Sequence, residues 1–382
     1  MRVALDVSCL LERPLTGVGY TACHLLRALL AVSPETQFNC FATRAHNGPR
    51  TLQDLDPSFP SAIVVPFARL LKYYLWTSSN WPPIETFCGP VDIAHGLFHD
   101  LPAARRAARV ATIHDLSCFR CPETHTPRTR AVQTRLLRHS ARHADALVAV
   151  SESCKNDLVE LLGVPPELVR VVPGGVYLRE FAGELDRQVL KAVTERLGIH
   201  GEYFIHLGTL EPRKNVPRLL RAYATLRSRC RECPKLVLVG KPGWLYQDVF
   251  DTIQRLRLHD CAIHAGYLER REAILLLRGA KACVYPSLYE GFGLPVLEAM
   301  AAGTPVITSN RAALPEVAGD AAIVVNPEDE DALTTAMESL IADSARVETM
   351  KQKGLTRAHR FTWEQSARRL LDVYRTCIKA QR

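Results

Sequence analysis

The sequence predicts an α/β protein made of two doubly wound domains, each built on a parallel sheet. Short runs rich in β-branched residues alternate with segments of helical period along the whole chain, which is typical of parallel strands joined by crossover helices. The length of 382 residues is too great for one ordinary core and suits two domains. Segment 285–309 adds a glycine turn between a strand and a helix, a place where such folds bind ligands.

The predicted strands fall into two sets with a linker between them. We predict strands near residues 2–7, 37–43, 62–65, 91–95, 109–113, 145–150 and 168–172 in the first half, and near 203–207, 235–239, 262–265, 282–285, 304–308 and 321–325 in the second. Residues 173–200 show no strong strand pattern. We therefore place the first domain at residues 1–180, the second at 181–361 and a C-terminal helix at 362–382.

Composition favours a soluble globular protein, with 47% hydrophobic and 23% charged residues. No apolar run approaches the roughly 20 residues that span a bilayer. Asp6 interrupts the apolar N-terminal stretch, so we interpret this stretch as a first strand and expect no export signal. We expect a cytoplasmic protein and leave open a peripheral position at the inner face of the membrane.

Twelve cysteines are scattered along the chain, many on apolar segments, which suits buried thiols in a reducing cytoplasm. Two C-x-x-C pairs, Cys118/Cys121 and Cys230/Cys233, could suggest zinc. The pairs lie about 110 residues apart, far from the roughly 15–20 residues of a zinc ribbon. We therefore predict no metal site.

Positive charge is concentrated in residues 101–142, although the whole chain carries only +8. This region has nine arginines against Asp115 and Glu123, a local balance of +7. The arginines are residues 105, 106, 109, 120, 128, 130, 135, 138 and 142. A solvated helix face and a surface for anionic lipid headgroups or a lipid-diphosphate acceptor both stay open. No nucleic-acid-binding motif accompanies the arginines, so we expect no nucleic acid partner.

Segment 285–309 reads YPSLYEGFGLPVLEAMAAGTPVITS and predicts a strand end, a tight turn, a helix and a second strand. Gly291 and Gly293 allow backbone torsions that other residues resist, and Pro295 suits the first turn of a helix. Backbone N–H groups at the N-terminus of a helix bind phosphates or sugar hydroxyls. The turn is therefore a candidate ligand site.

Two glutamates frame this turn, Glu290 before it and Glu298 in the helix. Carboxylates accept hydrogen bonds from the vicinal diols of a sugar or a ribose, although Glu298 alone could be an acidic residue favoured by the helix dipole. With the Gly-Phe-Gly turn and the following EAMAAGTPVI, they resemble the E-x7-E signature of retaining family-4 glycosyltransferases. The resemblance implies the GT-B fold, in which two Rossmann-like domains face each other across a cleft and the last helix crosses back to the first domain.

The resemblance also implies roles for the residues of the turn. Glu290 would contact the donor sugar, and Glu298 would bind the ribose of the nucleotide. Backbone groups of the turn would contact the sugar and the phosphates at Gly291, Phe292, Gly293 and Leu294.

The first loop contains G-V-G-Y-T-A at residues 17–22, which matches a dinucleotide-binding fingerprint. In a dinucleotide fold the first glycine follows the strand directly, whereas about nine residues separate Val7 from Gly17 here. The resemblance implies instead that the amides of Gly17 and Gly19 cap the donor diphosphate. Tyr20 stands where relatives often have an arginine. An NAD(P)-dependent oxidoreductase stays open as an alternative.

His114 and Asp115 follow a predicted strand, at the rim where doubly wound sheets bind ligands. A packed or hydrogen-bonded histidine is the alternative for any one of the thirteen histidines. The resemblance implies an active-site histidine here, and we predict that His114 hydrogen-bonds the donor sugar.

Arg213 and Lys214 lie in the loop after the first strand of the second domain, close to a predicted helix N-terminus. Adjacent cations disfavour a helix at that end, so a bound anion would explain them better than solvation. The resemblance implies that they clamp the donor pyrophosphate, with Thr209 where some relatives have another arginine. It also implies that Tyr267 and Leu268, after a later strand, contact the nucleobase.

We therefore expect a retaining glycosyltransferase that moves a hexosyl group from a nucleoside diphosphate sugar to a saccharide or lipid-linked saccharide. Arg213, Lys214 and the turn amides would stabilise the departing diphosphate, so we expect no metal and no further cofactor. The segments TLEPRKN and VATIHD look most like enzymes of bacterial surface-polysaccharide and lipopolysaccharide assembly, often mannosyltransferases. An inactive sugar-nucleotide-binding relative is a further alternative, which the presence of Arg213, Lys214, Glu290 and Glu298 disfavours.

Overall fold

The computed structural model of the protein describes residues 1–11, 15–43 and 51–381. Thirteen strands form within these residues, and each overlaps a predicted strand with ends that differ by no more than two positions. The strands are β1 (Arg2–Asp6), β2 (Gln37–Thr43), β3 (Ile63–Val65), β4 (Ile93–Gly96), β5 (Ala108–Ile113), β6 (Ala146–Ala149), β7 (Val169–Val171), β8 (Tyr203–Leu207), β9 (Lys235–Val239), β10 (Ala262–Gly266), β11 (Ala282–Tyr285), β12 (Val306–Ser309) and β13 (Ala322–Val325).

Helices connect the strands and cover the sheets. In the described residues they are α1 (Gly17–Val32), α2 (Arg69–Ser79), α3 (Glu85–Cys88), α4 (Ser117–Arg120), α5 (Pro127–His143), α6 (Glu152–Leu162), α7 (Arg187–Arg196), α8 (Val216–Arg229), α9 (Gln247–Arg255), α10 (Arg270–Gly279), α11 (Leu294–Ala301), α12 (Leu314–Ala318), α13 (Glu330–Ala342), α14 (Ser344–Ala358) and α15 (Trp363–Gln381). Five short 3₁₀ turns complete the described structure.

The strands form two sheets in which every pairing is parallel. The first sheet has the order β3-β2-β1-β4-β5-β6-β7, and the second has the order β10-β9-β8-β11-β12-β13. Strands β6 and β11, for example, are apolar and buried along their length, as expected where helices cover both faces of a sheet. The predicted fold class, two doubly wound α/β domains, is confirmed.

Each sheet has a switch point, where connections begin to run in opposite directions along the strand order. It lies between β1 and β4 in the first sheet and between β8 and β11 in the second. Open α/β sheets bind ligands at the carboxyl ends of the strands that flank such a point. The loops that follow these four strands are therefore the first places to search for a site.

The chain divides into two compact units, whose bounds differ from the predicted domains of 1–180, 181–361 and 362–382. Unit 1 comprises Met1–Phe119, Pro127–Gly175 and Trp363–Arg382, and unit 2 comprises Arg120–Thr126 and Val176–Thr362. The main boundary thus falls five residues earlier than predicted, between Gly175 and Val176. The segment 120–126 counts with unit 2 because its contacts lie there: Trp244 Nε1 donates to the carbonyl of Thr124 at 2.6 Å.

Helix α15 packs within unit 1 against α1 and the sheet. The hydroxyl of Tyr374 lies 2.6 Å from Nδ1 of His95, a fully buried residue of β4. The Trp363 ring stacks on His24 of α1, with ring centres 5.7 Å apart. These contacts fix the C-terminal helix to the elements that surround the first switch point.

Unit 2 has its own core between the sheet and helices α8, α9 and α13. Leu219, Leu220 and Tyr223 of α8 are fully buried there, and Met337 of α13 joins them. The Tyr223 hydroxyl donates to the carbonyl of Pro234 at 2.8 Å, which satisfies its polar group inside the apolar core. The strands that flank the second switch point therefore pack against this buried core.

None of the helices that the structure describes combines the length and the apolar character needed to cross a membrane.

Candidate active site

The loops after β8 and β11 meet at the switch point of the second sheet. Asn215, which takes a left-handed conformation with φ of 59°, ends the loop after β8 and begins α8. Its side-chain amide donates to the carbonyl of Pro286, after β11, at 3.2 Å and to that of Pro327 at 2.7 Å. Asparagine tolerates this conformation better than most residues, so it can both turn the chain and tie the two loops together.

This loop brings Arg213 and Lys214 onto Glu290. Lys214 Nζ donates to Oε1 of Glu290 at 2.6 Å, and Arg213 Nη1 donates to its Oε2 at 2.9 Å. The guanidinium of Arg213 also donates to the carbonyl of Tyr289 at 2.8 Å. Three residues that the sequence analysis assigned to one site therefore lie in direct contact.

Tyr285, at the end of β11, completes the cluster. It accepts a hydrogen bond from Lys214 at 2.6 Å and donates one to Oε1 of Glu290 at 3.0 Å. Burial opposes ionisation of Glu290, yet Arg213 and Lys214 lower the pKa of this carboxyl to about 2. Glu290 is therefore a carboxylate at neutral pH. Sequence reasoning did not assign Tyr285 to the site. The one indication in the sequence was its position at the end of a buried strand.

Glu211 supplies a second negative charge, which alters the predicted reason for the adjacent cations. Its Oε1 accepts from Arg213 Nη2 at 2.7 Å, and the residue is only 4% exposed. Two cations thus face two carboxylates, Glu211 and Glu290. A bound anion is not needed to explain why Arg213 and Lys214 lie together, because the protein provides the counter-charges.

In the glycine turn before α11, Gly293 has the backbone conformation predicted for it, whereas Gly291 is not among the described glycines with a positive φ. Gly293 has φ of 104°, and a Cβ at this position would lie 2.7 Å from Cδ2 of Leu314. Only glycine fits both conditions. Helix α11 begins at Leu294, one residue earlier than predicted, and directs the positive end of its dipole toward the turn.

The other turn residues are largely buried. Phe292 is 7% exposed and packs edge-on against Phe361, with ring centres 5.8 Å apart, so its side chain belongs to the core. Gly291 is buried and Leu294 is half-buried. The prediction that their backbone groups contact the donor stays a prediction.

Glu298 lies one turn into α11 and is held by a residue that sequence reasoning missed. Arg270, the first residue of α10, donates from Nη1 to Oε1 of Glu298 at 2.7 Å and from Nε to Oε2 of Glu180 at 2.7 Å. Burial lowers the pKa of this guanidinium, but the two carboxylates raise it above its usual value. Oε2 of Glu298 makes no hydrogen bond within the described part of the chain, so one oxygen remains for a ligand.

Three further predicted donor residues follow β8 and β10, two strands of the second sheet that are separated by β9. Thr209 comes after β8 and packs closely against Gly243. A Cβ added to Gly243 would lie only 2.8 Å from Cγ2 of Thr209. Tyr267 and Leu268 follow β10, where Tyr267 is 39% exposed and Leu268 is 8% exposed. The exposed ring of Tyr267 is more accessible to a nucleobase than the side chain of Leu268, and the predicted contact of both residues with the base stays a prediction.

In unit 1, His114 follows β5 and is largely enclosed. Its Nε2 lies 2.8 Å from the carbonyl oxygen of Leu97, so Nε2 carries the proton and Nδ1 is an acceptor. Burial lowers the pKa of His114, which keeps the imidazole neutral. Oδ1 of the neighbouring Asp115 accepts hydrogen bonds from the backbone N–H and the hydroxyl of Ser117, at the start of α4. The role of His114 toward the donor sugar stays a prediction.

A small cavity of about 20 Å³ lies beside His114 in unit 1. Thr21 and Ala22 of α1, Thr112 of β5 and the Trp363 ring contribute to its wall. It has room for one or two water molecules and is mostly apolar.

The structure gives Gly19 a role that differs from the predicted one. Thr16 caps α1, and its hydroxyl accepts the Gly19 amide at 3.2 Å, so this amide is already bonded. A Cβ on Gly19 would lie 3.0 Å from the carbonyl of Cys9, which shows that the glycine allows close packing. Gly17 is exposed at the first position of the helix, eleven positions after the end of β1 at Asp6. This spacing also disfavours the dinucleotide alternative.

Within the described residues, no group of three or more His, Cys, Asp or Glu side chains is arranged to hold a metal ion. Cys118, Cys121, Cys230 and Cys233 are thiols that form no disulfide in the described structure.

Two family models together match most of the chain. Glycosyltransferase Family 4 matches residues 15–180, and Glycosyl transferases group 1 matches residues 195–357. The chain is 32% identical over 283 residues to the O-antigen chain mannosyltransferase B of Escherichia coli, which covers 74% of each protein. It is 28% identical over 244 residues to the serotype-specific mannosyltransferase WbdA of Escherichia coli, or 63% of this chain but only 30% of that protein.

The fold also matches solved structures. Sucrose-phosphate synthase from Thermosynechococcus elongatus superposes with a TM-score of 0.79 at 20% identity, over 100% of both chains.

Proposed function

We propose a sugar-transfer reaction for this chain, which belongs to glycosyltransferase family 4 and has the GT-B fold. In this reaction a hexosyl group passes from a nucleoside diphosphate sugar to a saccharide or lipid-linked saccharide acceptor, with retention at the anomeric carbon. The observation that carries the proposal is the meeting of Arg213, Lys214 and Glu290 at the second switch point. Surface-polysaccharide assembly is the process that fits this reaction and its relatives.

The chemical task of this cluster is to stabilise the leaving diphosphate. Departure of the diphosphate concentrates negative charge on its oxygens, and Arg213, Lys214 and the α11 N-terminus supply positive charge in fixed positions. Glu290 holds both cations in place before the donor arrives, because its two oxygens bind one cation each. Such preorganisation removes the need to reorient charges during the reaction.

Glu298 is proposed to bind the ribose of the donor nucleotide. Its Oε1 is held by Arg270, and Oε2 is left to accept a ribose hydroxyl. Arg270 therefore acts as a positioning residue, since Glu180 and Glu298 bind the two sides of its guanidinium.

Retention is proposed to follow a front-face route. The bond between the anomeric carbon and the diphosphate oxygen breaks, the acceptor oxygen bonds to the same face, and the departing phosphate oxygen takes the acceptor proton. Mass spectrometry of the enzyme during turnover tests this route, because a covalent glycosyl-enzyme intermediate would contradict it.

Turnover is proposed to need no metal ion, since two cations and a helix end provide the field at the diphosphate. Activity should be unchanged after exhaustive dialysis against EDTA. A loss that added Mg²⁺ or Mn²⁺ restores would contradict this part of the proposal.

Mannose is the hexose that we favour, because the two relatives described above are named mannosyltransferases. A panel of nucleotide sugars tests the choice by thermal stabilisation, since a ligand that binds only the folded state raises the melting temperature. GDP-mannose should give the largest rise. A larger rise with UDP-glucose or UDP-galactose would reject both the sugar and the base, while a rise without any sugar transfer would support the inactive sugar-nucleotide-binding relative.

Glutamate substitutions in unit 2 test the site directly. Glu290→Gln and Glu298→Gln should each lower kcat/KM for the donor about tenfold or more, whereas Glu338→Gln, a charge-matched control at the surface, should not. Measured melting temperatures separate lost chemistry from lost folding. Wild-type kcat/KM in both site variants would reject the assignment.

A lipid-linked acceptor would require contact with a membrane. We propose a peripheral position at the inner face of the membrane, supported by the excess of arginine in residues 101–142.

A further inference from the structure

Helix α2 directs its charged residue inward and its apolar residues outward. Lys72 is 1% exposed, whereas Leu70 is 51%, Leu71 47% and Tyr74 59% exposed. The three exposed residues fall within about 100° of arc at 100° per residue, so they share one face of the helix. A surface helix in water shows the opposite arrangement.

The inward face fixes this orientation. Lys72 Nζ donates to Asp6 at 2.5 Å and to Asp100 at 2.9 Å, and Tyr73 and Trp76 are buried beside it. Rotating α2 to hide the leucines would break two buried ion pairs. The apolar face is therefore held toward the outside by the most enclosed charges of unit 1.

Helix α5 presents a stripe of arginines. Four arginines lie on its exposed face within about 80° of arc, and Leu136, Leu137 and Ser140 form the opposite, buried face. The stripe extends over fifteen residues of the helix, and the fourteen steps from its first to its last arginine rise about 21 Å. Its members are Arg128, Arg135, Arg138 and Arg142.

Two arginines join this stripe to α2. Arg135 Nε donates to the Thr77 hydroxyl at 2.7 Å, and its guanidinium lies 5.3 Å from the centre of the Tyr74 ring. Arg109 donates to Oδ1 of Asn80 at 3.3 Å and to the carbonyl of His143 at 2.6 Å, which ties the ends of both helices together. The apolar face and the basic stripe thus adjoin.

We call this the apolar-basic surface and define it by Leu70, Leu71, Tyr74 and Trp81 together with the four stripe arginines. Trp81, just after α2, is 57% exposed. The sequences of α2 and α5 contain seven Lys or Arg residues and no Asp or Glu. The partner must therefore offer an apolar layer and a high density of negative charge at the same time.

We propose that the apolar-basic surface docks onto an anionic lipid bilayer. The leucines and the two aromatic rings enter the boundary between headgroups and acyl chains, and the arginines bind lipid phosphates. This assigns the membrane contact to α2 as well as to the arginines, and it does not depend on the identity of the donor. A second copy of the chain fits less well, because a twofold axis at this surface would oppose two arginine stripes of like charge.

Vesicle sedimentation with the full chain, without donor or acceptor, tests the proposal. Wild-type protein should bind vesicles of equal parts phosphatidylcholine and phosphatidylglycerol, and bind phosphatidylcholine alone much more weakly. The triple variant Leu70→Gln, Leu71→Gln, Tyr74→Gln should bind about tenfold or more weakly to the anionic vesicles. Glutamine suits these exposed helix positions, so the fold should be kept.

A second variant in the same vesicle experiment tests the arginines of the stripe. The triple variant Arg128→Gln, Arg138→Gln, Arg142→Gln should lose roughly fivefold in binding per arginine, and added salt should weaken the wild type in the same direction. The matched control replaces Arg170, Arg368 and Arg369, exposed arginines of unit 1 outside this surface, and should bind as the wild type does.

The control for apolar surface is Leu245→Gln with Leu355→Gln in unit 2, which should leave binding unchanged. The proposal is overturned if the wild type ignores anionic vesicles or if the α2 variant binds them equally well. It is also overturned if the wild type is a dimer that the α2 substitutions dissociate while vesicle binding is absent. Transfer of sugar to a soluble acceptor should be unaffected by either triple variant, which separates this proposal from the catalytic one.

Discussion

The two sheets each place a lysine beside their switch point, and the surroundings of the two lysines differ. In unit 1, Lys72 reaches Asp6 at the end of β1 and Asp100 after β4. In unit 2, Lys214 after β8 reaches Glu290 after β11. The same topology therefore produces a lysine–carboxylate pair twice, once in each unit.

The difference lies in how much of each cluster a ligand could reach. The side chains of Lys72, Asp6 and Asp100 are at most 5% exposed, and the ammonium lies 5.0 Å from the centre of the Trp76 ring. In unit 2, Arg213 is 13% and Lys214 10% exposed. The enclosed cluster fixes the position of α2, whereas the more open one adjoins a glycine turn and a helix N-terminus that can bind an anion.

The balance of charge also differs. One lysine faces two carboxylates in unit 1, so burial and the charge of Asp6 raise the pKa of Asp100 to about 6. In unit 2 two cations face two carboxylates, Glu211 and Glu290, and both cations bind Glu290 and lower its pKa to about 2 despite its burial. Near neutral pH, Asp100 in the first cluster can therefore take up a proton, whereas Glu290 in the second stays ionised.

The largest expected effect separates the two lysines by activity. Lys214→Met should lower kcat for a nucleotide sugar about 10²–10³-fold, because a cation is lost where the diphosphate charge develops. Lys72→Met should leave kcat per folded molecule close to that of the wild type. Steady-state kinetics well below the melting temperature of both variants measure this, and equal losses would remove the functional distinction between the clusters.

The expected losses of stability have the opposite order, with the larger loss for the substitution of Lys72. Lys72→Met leaves two buried carboxylates without a cation and should lower the free energy of unfolding by about 3–5 kcal/mol. Lys214→Met should cost less, because Arg213 still pairs with Glu290 and the cluster is partly exposed. Urea unfolding followed by fluorescence measures both. Adding Asp6→Asn and Asp100→Asn to Lys72→Met should recover part of the loss; no recovery would contradict the explanation by charge.

Alanine substitutions at one glycine in each unit should give smaller changes in stability that also differ between the units. Gly293→Ala should cost about 1–3 kcal/mol of stability and disturb the donor site, because φ is 104° and the new Cβ would lie 2.7 Å from Leu314. Gly17→Ala should be neutral or stabilise slightly, since nothing lies within 4 Å of its Cβ position. Thermal unfolding of the two variants measures these changes in stability. An equal loss of stability in both would contradict the account of the turn.

The smallest effects concern pH, and they should have opposite signs. Asp100 has a raised pKa in the folded state, so its contribution to stability is present below about pH 4 and is lost as pH rises through about 6. Glu290 has a lowered pKa, so its contribution is present above about pH 4.5 and is lost as pH falls toward 2.

Unfolding free energies of the wild type relative to Asp100→Asn and to Glu290→Gln, measured across these two pH ranges, test the signs. Slopes of the same sign for both carboxyls would show that the two clusters are electrostatically alike.

The sequence predicts the fold well because parallel strands buried on both faces are short apolar runs with clear ends. Every strand overlaps its predicted position, and Ser151 caps α6 as its place before a helical pattern suggests. Gly293 was predictable for a similar reason, since a glycine followed by a helix-initiating Leu-Pro is a local signal.

The parts that could not be predicted depend on contacts between distant residues. Lys72 meets Asp6 and Asp100 across 66 and 28 positions, and no local pattern marks such a cluster. Arg270 is likewise 28 positions from Glu298. The family resemblance assigned the Gly19 amide to the donor diphosphate, and only the structure shows that the Thr16 hydroxyl accepts this amide.

A crystal structure of the protein with GDP tests the central claim most directly. We predict that diphosphate oxygens lie within hydrogen-bond distance of the Arg213 guanidinium and Lys214 Nζ, beside the turn at Gly293. A diphosphate bound elsewhere, with the pairs from Arg213 and Lys214 to Glu290 unchanged and out of its reach, would contradict the account.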